Sequence, residues 1–216
     1  DTGLTKKELE KIIEVGSPIT RERELVELGD NVNVKSLDNR ASVFMLLESL
    51  RALKTAKKAP AYDFYAVFTV QEEIGLRGAN ASALKIQPDF GIGLDTTIAC
   101  DTPGVTPQKQ ITQLGEGAAI KIMDSSVISD YRMVEFMKAT AKSKKIKWQP
   151  EILHAGGTDT AALQQKTPGG SIAGAISIPT RYIHQVTEMA NKSDLDNCIK
   201  LLTACVCDLD KHDWSF

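Results

Sequence analysis

The chain has 216 residues, of which 42% are hydrophobic and 25% charged, and its formal net charge is −2. These values are typical of a globular domain with a full-sized core. They argue against a nucleic-acid-binding protein, because no long basic block is present, and against a membrane protein, because no apolar run approaches ~20 residues.

Helical and extended patterns alternate along the chain. Period-two or continuous apolar runs predict strands, apolar stripes at helical spacing predict helices, and Thr5 with Glu8 forms a capping box. In chain order the predicted elements are a helix at 5–15, strands at 25–28 and 31–37, a helix at 40–53, strands at 64–70, 90–94 and 118–123 with a short helix after Gly78, a helix at 131–144, a strand at 147–153, a helix at 158–165, a strand at 171–178, and a last helix capped by Ser193. This alternation predicts a three-layer α/β/α fold with a mixed, mostly parallel sheet.

The four cysteines predict free thiols. Their spacing matches no zinc-ribbon or redox motif, and three of them lie on the last predicted helix. Unpaired, buried thiols are typical of a reducing compartment, so we expect a cytoplasmic protein. The four are Cys100, Cys198, Cys205 and Cys207.

Acidic side chains follow several predicted strands. The apolar run 64–70 ends at the adjacent pair Glu72 and Glu73, Asp38 and Asp95 each follow another strand, and His184 comes shortly after the strand at 171–178. Taken singly, each has a structural explanation, such as a helix cap for Asp38, a solvated acidic pair, or a hydrogen-bonded core histidine. Ligands of open α/β sheets bind at the carboxyl ends of the strands, however, and these side chains share that edge.

Cations remove the repulsion between carboxylates gathered at one edge. Three carboxylates and an imidazole form a ligand set suited to zinc or cobalt, with manganese also accepted, and one carboxylate can bridge two ions. Adjacent residues of an extended segment point to opposite sides. We therefore expect one glutamate of the pair to bind metal and the other to handle the proton of an attacking water.

Five motifs carry a family resemblance across nearly the whole chain. The stretches LDNRASV, VFTVQEEIGLRGA, LDTTIACDTPG, LHAGGTDTAAL and IPTRYIHQVTE resemble, in order and spacing, the tetrahedral and glutamyl aminopeptidases. The resemblance implies a zinc-peptidase-like fold and two divalent metal ions, usually zinc or cobalt. It also implies removal of N-terminal residues from peptides, and homo-oligomers from dimers to twelve-subunit tetrahedra.

The resemblance also implies roles for individual residues. Asp38 is similar to the carboxylate that bridges both ions, and Glu72 is similar to the general base. Glu73 and His184 resemble the remaining ligands of one ion, and Asp95 resembles a ligand of the other. No substrate-binding residue is implied.

The chain departs from the family pattern near its beginning. The family's first metal-binding histidine lies in an upstream H-x-D motif that is absent here, where the histidines are His154, His184 and His212. Residues 1–20 resemble the end of the family's inserted dimerisation domain, and residues 21–216 its catalytic metallopeptidase domain. We therefore expect the C-terminal part of a longer protein, with one complete metal site and one that lacks its histidine.

Two other functions remain open at this point. A non-catalytic or truncated assembly subunit of the same fold would keep the architecture without the chemistry. A glycosidase of the endoglucanase type would use Glu72 as one of a carboxylate pair and would need no metal.

Overall fold

A computed structural model describes residues 2–56 and 60–215, and within them the chain forms six α-helices and seven strands. The helices are α1 (Lys6–Leu9), α2 (Leu37–Thr55), α3 (Arg77–Ile86), α4 (Tyr131–Lys144), α5 (Thr160–Lys166) and α6 (Lys192–Asp208). The strands are β1 (Val26–Leu28), β2 (Asn31–Val34), β3 (Phe90–Ile98), β4 (Ala118–Met123), β5 (Trp148–Ile152), β6 (Ile172–Arg181) and β7 (Glu188–Asn191).

The strands form one mixed sheet, which confirms the predicted α/β class. The order is β1-β2-β7-β6-β4-β5, with β3 paired to β6. Parallel ladders join β3 to β6 and β4 to β5, and the other four pairings among the described strands are antiparallel. The sheet is thus mixed, as predicted, and its longest ladder is the parallel pairing of β3 with β6, which carries Asp95 opposite Ser177.

Helices cover both faces of the sheet. On one face α2 and α4 pack against α6, and on the other α3 packs against α5. The core between the first group and the sheet includes fully buried side chains from strands and helices alike: Met45, Ile120, Met133, Met137, Ile176, Ile178 and Leu201. On the α5 side the sheet approaches closely, because a Cβ at Gly93 would lie 2.0 Å from Thr160 Oγ1.

Two predicted elements differ most from the structure. Residues 64–70, predicted as a doubly buried strand, pair with no strand, and Phe68 and Val70 are half or more exposed. A strand exists only where a neighbour accepts its backbone hydrogen bonds, and none of the described residues supplies one. The helix predicted at 5–15 ends at Leu9, because Ile12 and Val15 lie exposed with nothing to pack against.

Smaller features agree in part. The bounds of β4 and α4 are as predicted, and Asp130 caps α4 by accepting a hydrogen bond from the Arg132 N–H at 2.9 Å. Asn191, not Ser193, caps α6. The four cysteines are free, as predicted. No helix in the described ranges combines the length and apolar character of a membrane span. That residues 1–20 derive from a dimerisation domain stays a prediction.

An ion pair ties the loop after β3 to the end of β6. Arg181 donates from Nε to Asp101 Oδ1 at 2.6 Å and from Nη2 to Oδ2 at 2.9 Å, and the Leu114 N–H donates to the same Oδ2 at 2.9 Å. Burial alone would raise the pKa of Asp101, but the hydrogen bonds and charge of Arg181 and the Leu114 N–H outweigh it and lower the pKa. Ionised Asp101 therefore stabilises the fold.

Replacement of Asp101 by asparagine is expected to lower the free energy of unfolding near neutral pH by about 2 kcal/mol. Because the folded-state pKa is depressed, this contribution is present above the unfolded pKa and disappears as pH falls through the folded value. Urea unfolding from about pH 7 to about pH 3 should show the difference between variant and parent shrinking in acid. Asp196→Asn, in an exposed pair with Lys200, is the matched control and should cost less than about 1 kcal/mol. An equal loss at all pH values would contradict the assignment.

Candidate metal centre

Three of the predicted ligands converge at one edge of the sheet. One ligand atom from each of Asp38, Glu73 and His184 lies within 4.8 Å of the others. His184 Nε2 is 3.0 Å from Asp38 Oδ2 and 3.4 Å from Glu73 Oε1. Asp38 is nearly buried, whereas Glu73 and His184 are mostly exposed. The cluster opens into a cavity of about 370 Å³, so an ion and a small ligand can reach it.

The backbone holds these side chains in unusual conformations. Asp38 lies in the first turn of α2, but its own φ and ψ are not helical. Ser36, two residues earlier, has a positive φ of 61°. His184 has φ 65° and Gln71, just before the glutamate pair, has φ 58°. L-residues rarely adopt positive φ, and such residues cluster at binding and catalytic sites.

Glu188 connects two of the ligands and was missed by sequence reasoning. It is the first residue of β7 and is buried, and its carboxylate accepts hydrogen bonds from the His184 N–H at 2.8 Å and the Asp38 N–H at 3.1 Å. It thereby fixes the spacing of two backbone segments that are far apart in sequence. Its sequence signal was its position four residues after His184, which by itself resembles any surface glutamate.

Glu72 lies beside the cluster but outside it. Burial raises the pKa of Glu72 to about 7, and the charges of Asp159, Glu73 and Asp38 add to the rise, whereas His184 opposes it. Burial also raises the pKa of Asp159, although that residue accepts a hydrogen bond from Thr69 Oγ1 at 2.6 Å. The two adjacent glutamates thus have different surroundings, since Glu73 is exposed and Glu72 is half-buried.

Asp95 lies deeper than the three-residue cluster. It is 6% exposed and accepts a hydrogen bond from the Thr96 N–H at 2.8 Å. Burial raises its pKa well above the ordinary value, and the charges of Asp38 and Glu72 raise it further. Asp95 is therefore near enough to feel both carboxylates, although it is not within the group formed by Asp38, Glu73 and His184.

The donor set fits a divalent cation. Burial and the charges of Glu73 and Glu188 raise the pKa of Asp38, although His184 and a hydrogen bond from Thr96 oppose the rise, as expected where carboxylates crowd together. Two carboxylates and one imidazole are ligands that zinc accepts. The second predicted ion would have Asp38 and Asp95 but no imidazole from the described residues, since His154 is exposed and His212 packs against Phe136 and Trp214.

Residues 1–201 match the sequence profile of the M42 glutamyl aminopeptidases. The chain belongs to the M42 glutamyl aminopeptidase family. The resemblance found in the five sequence motifs is thereby confirmed, and so is the zinc-peptidase-like fold, which the solved structures of M42 and tetrahedral aminopeptidases share.

Several relatives of this M42 chain are named as aminopeptidases. A putative aminopeptidase of Acetivibrio thermocellus is 39% identical over 203 residues, which cover 94% of this chain and 59% of that protein. The structure of aminopeptidase APDkam598 from Desulfurococcus kamchatkensis is similar with a TM-score of 0.87 at 37% identity, covering 95% of this chain and 58% of that one. The Pyrococcus horikoshii TET1 peptidase, which can assemble into a tetrahedron or a large octahedral shell, is similar with a TM-score of 0.76 at 27% identity, covering 95% and 59%.

The M42 chain thus spans less than two thirds of the length of these relatives. The matched part includes all five motifs and the three clustered side chains. Because the match covers only part of each relative, the activity of the whole protein is inferred from the site and the family.

Proposed function

We propose that this domain is the catalytic part of a metal-dependent aminopeptidase that removes N-terminal residues from peptides. The observation that carries the proposal is the convergence of Asp38, Glu73 and His184 in a chain of the M42 glutamyl aminopeptidase family. Asp38 and Glu73 repel each other at this spacing, and a cation between them would relieve that repulsion. The family membership supplies a reaction that uses one.

Each residue then has a separate role. Glu73 and His184 would bind one ion, Asp38 would be shared between two, and Asp95 would bind the other. Bound there, zinc, cobalt or manganese would polarise the scissile carbonyl and acidify a water molecule. Glu72, half-buried beside the ligands, would accept the proton of the attacking water and pass it to the leaving amine. Glu188 would act as a positioning residue through its hydrogen bonds to His184 and Asp38.

The same reasoning extends to partners. An aminopeptidase of this kind takes peptides as substrates, and a homo-oligomer is proposed by analogy with the assemblies of the TET1 peptidase. A cytoplasmic location agrees with the four free cysteines and stays a prediction. The absence of nucleic-acid and membrane partners also stays a prediction.

A non-catalytic assembly subunit is the second candidate. The observation in its favour is that Asp38 and Asp95 gain no imidazole from residues 2–56 and 60–215.

The glycosidase alternative predicts activity on a polysaccharide that survives a chelator, so one assay with and without EDTA separates it from a metallopeptidase.

Calorimetric titration with zinc and with cobalt, combined with hydrolysis of aminoacyl-anilides, tests the proposal. We expect one tight site, a weaker second site, and low turnover. His184→Ala should weaken the tight site at least about 100-fold, whereas His154→Ala, at an exposed histidine, should leave it unchanged. Absence of a tight site would refute the proposed function. Two equally tight sites with full turnover would refute the incomplete second site.

A further inference from the structure

The cavity of about 370 Å³ beside the metal centre is lined by two groups of charged side chains. The first group consists of the clustered ligands Asp38, Glu73 and His184, and the second consists of Arg21 and Lys35. The cavity therefore extends from the proposed metal position to two residues with positively charged side chains. The metal chemistry described above uses neither of them.

The position of Lys35 follows from the end of β2. Val34, the last residue of β2, is paired with Glu188 at the start of β7, and Glu188 accepts hydrogen bonds from the Asp38 and His184 N–H groups. Lys35 comes next in the chain, three positions before Asp38, and three residues of extended chain span at most ~11 Å. The half-buried lysine is therefore carried on the same short segment as a metal ligand.

The segment that carries Arg21 is held in place by hydrogen bonds. The Arg21 carbonyl accepts one from Lys35 Nζ at 2.7 Å. Two residues later Arg23 Nη2 donates to Asn33 Oδ1 at 2.7 Å, and the Asn33 amide donates to the Thr187 carbonyl at 2.7 Å. The segment is thus fixed against β2 and against the residue that precedes β7.

Neither cation has an acidic partner in the described part of the chain. Within residues 2–56 and 60–215, no carboxylate forms an ion pair with Arg21 or Lys35. Lys35 uses one of its three ammonium donors on the Arg21 carbonyl, and Arg21 is exposed. The carboxylates that line the same cavity are engaged elsewhere, because two are proposed metal ligands and Glu188 accepts two backbone N–H groups. Positive charge and donors are therefore left for a ligand.

The cavity has room for about two residues of extended peptide. A residue in a packed sheet occupies roughly 160 Å³ at a rise of ~3.3 Å, a strand spacing of ~4.8 Å and a sheet spacing of ~10 Å, and the cavity measures about 370 Å³. In a dipeptide whose scissile carbonyl lies at the metal, the α-carboxylate follows one residue later, roughly 3.3–3.8 Å along the chain. A longer peptide has an uncharged amide at that place.

We propose that Arg21 and Lys35 bind the α-carboxylate of a dipeptide and thereby select dipeptides over longer peptides. The inference rests on the proposed function and narrows its substrate class. A guanidinium and an ammonium group form charge-assisted hydrogen bonds with carboxylates, which are stronger than those between neutral groups. Because these bonds are made in the ground state and the transition state alike, they lower KM and leave kcat nearly unchanged.

Two ligands that resist hydrolysis test the inference on the intact, zinc-loaded chain. Both are leucyl-glycine with a CH₂ group in place of the scissile carbonyl, and one ends in a carboxylate whereas the other ends in a carboxamide. Calorimetry should show at least about tenfold tighter binding of the carboxylate ligand, the usual contribution of a hydrogen bond to a charged group. The advantage should shrink as salt rises from about 0.05 M to about 1 M, because salt screens exposed charges. Equal binding of the two ligands, or no binding of either, would overturn the proposal.

Lys35→Met and Arg21→Gln show whether the two cations cause the preference. Each variant should lose most of the carboxylate advantage and bind the carboxamide ligand as the parent does. Lys85→Met is the matched control, at an exposed lysine of α3 that does not line the cavity, and it should keep the full advantage. If both cavity variants kept it too, the carboxylate would be binding the metal itself and the proposal would be wrong.

A second pair of ligands separates the α-carboxylate from an acidic side chain. Leucyl-aspartate amide and leucyl-asparagine amide, with the same CH₂ replacement, have a blocked C-terminus and differ only in the side-chain charge. They should bind with nearly equal affinity. An advantage of the aspartate ligand as large as that of the dipeptide carboxylate would mean that the cations recognise a side chain, and it would contradict the selection of dipeptides.

Zinc titration and anilide hydrolysis on the same preparations keep this result apart from the proposed function. Equal binding of the carboxylate and carboxamide ligands with an intact zinc site would reject only the role of Arg21 and Lys35. A carboxylate preference that depends on Lys35, in a chain without a tight zinc site, would reject only the metal-dependent function.

Discussion

Glu72→Gln is expected to lower any metal-dependent hydrolysis of aminoacyl-anilides by about 10²- to 10⁴-fold, the usual contribution of a general base. The amide has nearly the same shape as the carboxylate but does not accept a proton. Because Glu72 lies outside the group formed by Asp38, Glu73 and His184, zinc affinity should stay nearly unchanged. Activity and zinc affinity are measured on the same preparation.

Glu73→Gln is the matched control, since it makes the same change at the next residue. It should weaken zinc binding at least about 100-fold, because Glu73 Oε1 lies in the ligand cluster, 3.4 Å from His184 Nε2. Opposite effects of two adjacent substitutions would separate a base from a ligand even where turnover is low. If both variants lost zinc equally, or if Glu72→Gln kept full activity, the proposed roles would be wrong.

Lys121→Met is expected to be the most destabilising substitution outside the site. Lys121 and Glu151 have fully buried side chains in contact, and Asp124 Oδ2 is 3.3 Å from Lys121 Nζ. Thr97 donates to Glu151 at 2.7 Å, but Glu151 Oε2 has no hydrogen-bond partner. Removing the cation leaves buried carboxylates without a counter-charge, which costs about 3–5 kcal/mol.

The double variant Lys121→Met with Glu151→Gln should recover a large part of that loss, because it removes the uncompensated charge and keeps an acceptor for Thr97. Lys144→Met, in a pair with Asp208 that is about half exposed at the lysine, is the control and should cost less than about 1 kcal/mol. Urea unfolding of the four proteins measures the differences. No recovery in the double variant would mean that the aliphatic packing of Lys121, not its charge, stabilises the core.

The local sequence predicted those helices and strands whose caps and apolar patterns lie within their own residues. The helix α4 begins at its capping residue Asp130 and follows its own apolar stripe, and β4 is an apolar run with Lys121 inside it. The gathering of Asp38, Glu73 and His184 was predicted from the rule that strand ends share an edge, although the segment before Glu73 is not a strand in the structure. The predictions of α4 and β4 needed no knowledge of the elements that pack against them.

Features that depend on a distant partner were not predictable in the same way. Residues 64–70 have the composition of a doubly buried strand, but pairing requires a neighbour that the described chain lacks. The role of Glu188 depends on two backbone N–H groups, one of them 150 positions away in sequence. The positive φ of His184 also has no sequence signal, because neither glycine nor asparagine occupies that position.

Crystals grown with zinc, with diffraction data collected on both sides of the zinc absorption edge, test the central claim most directly. The account predicts an anomalous peak about 2.0–2.2 Å from oxygens of Asp38 and Glu73 and from His184 Nε2. A zinc ion bound elsewhere, with these three side chains free of metal at saturating zinc, would contradict it.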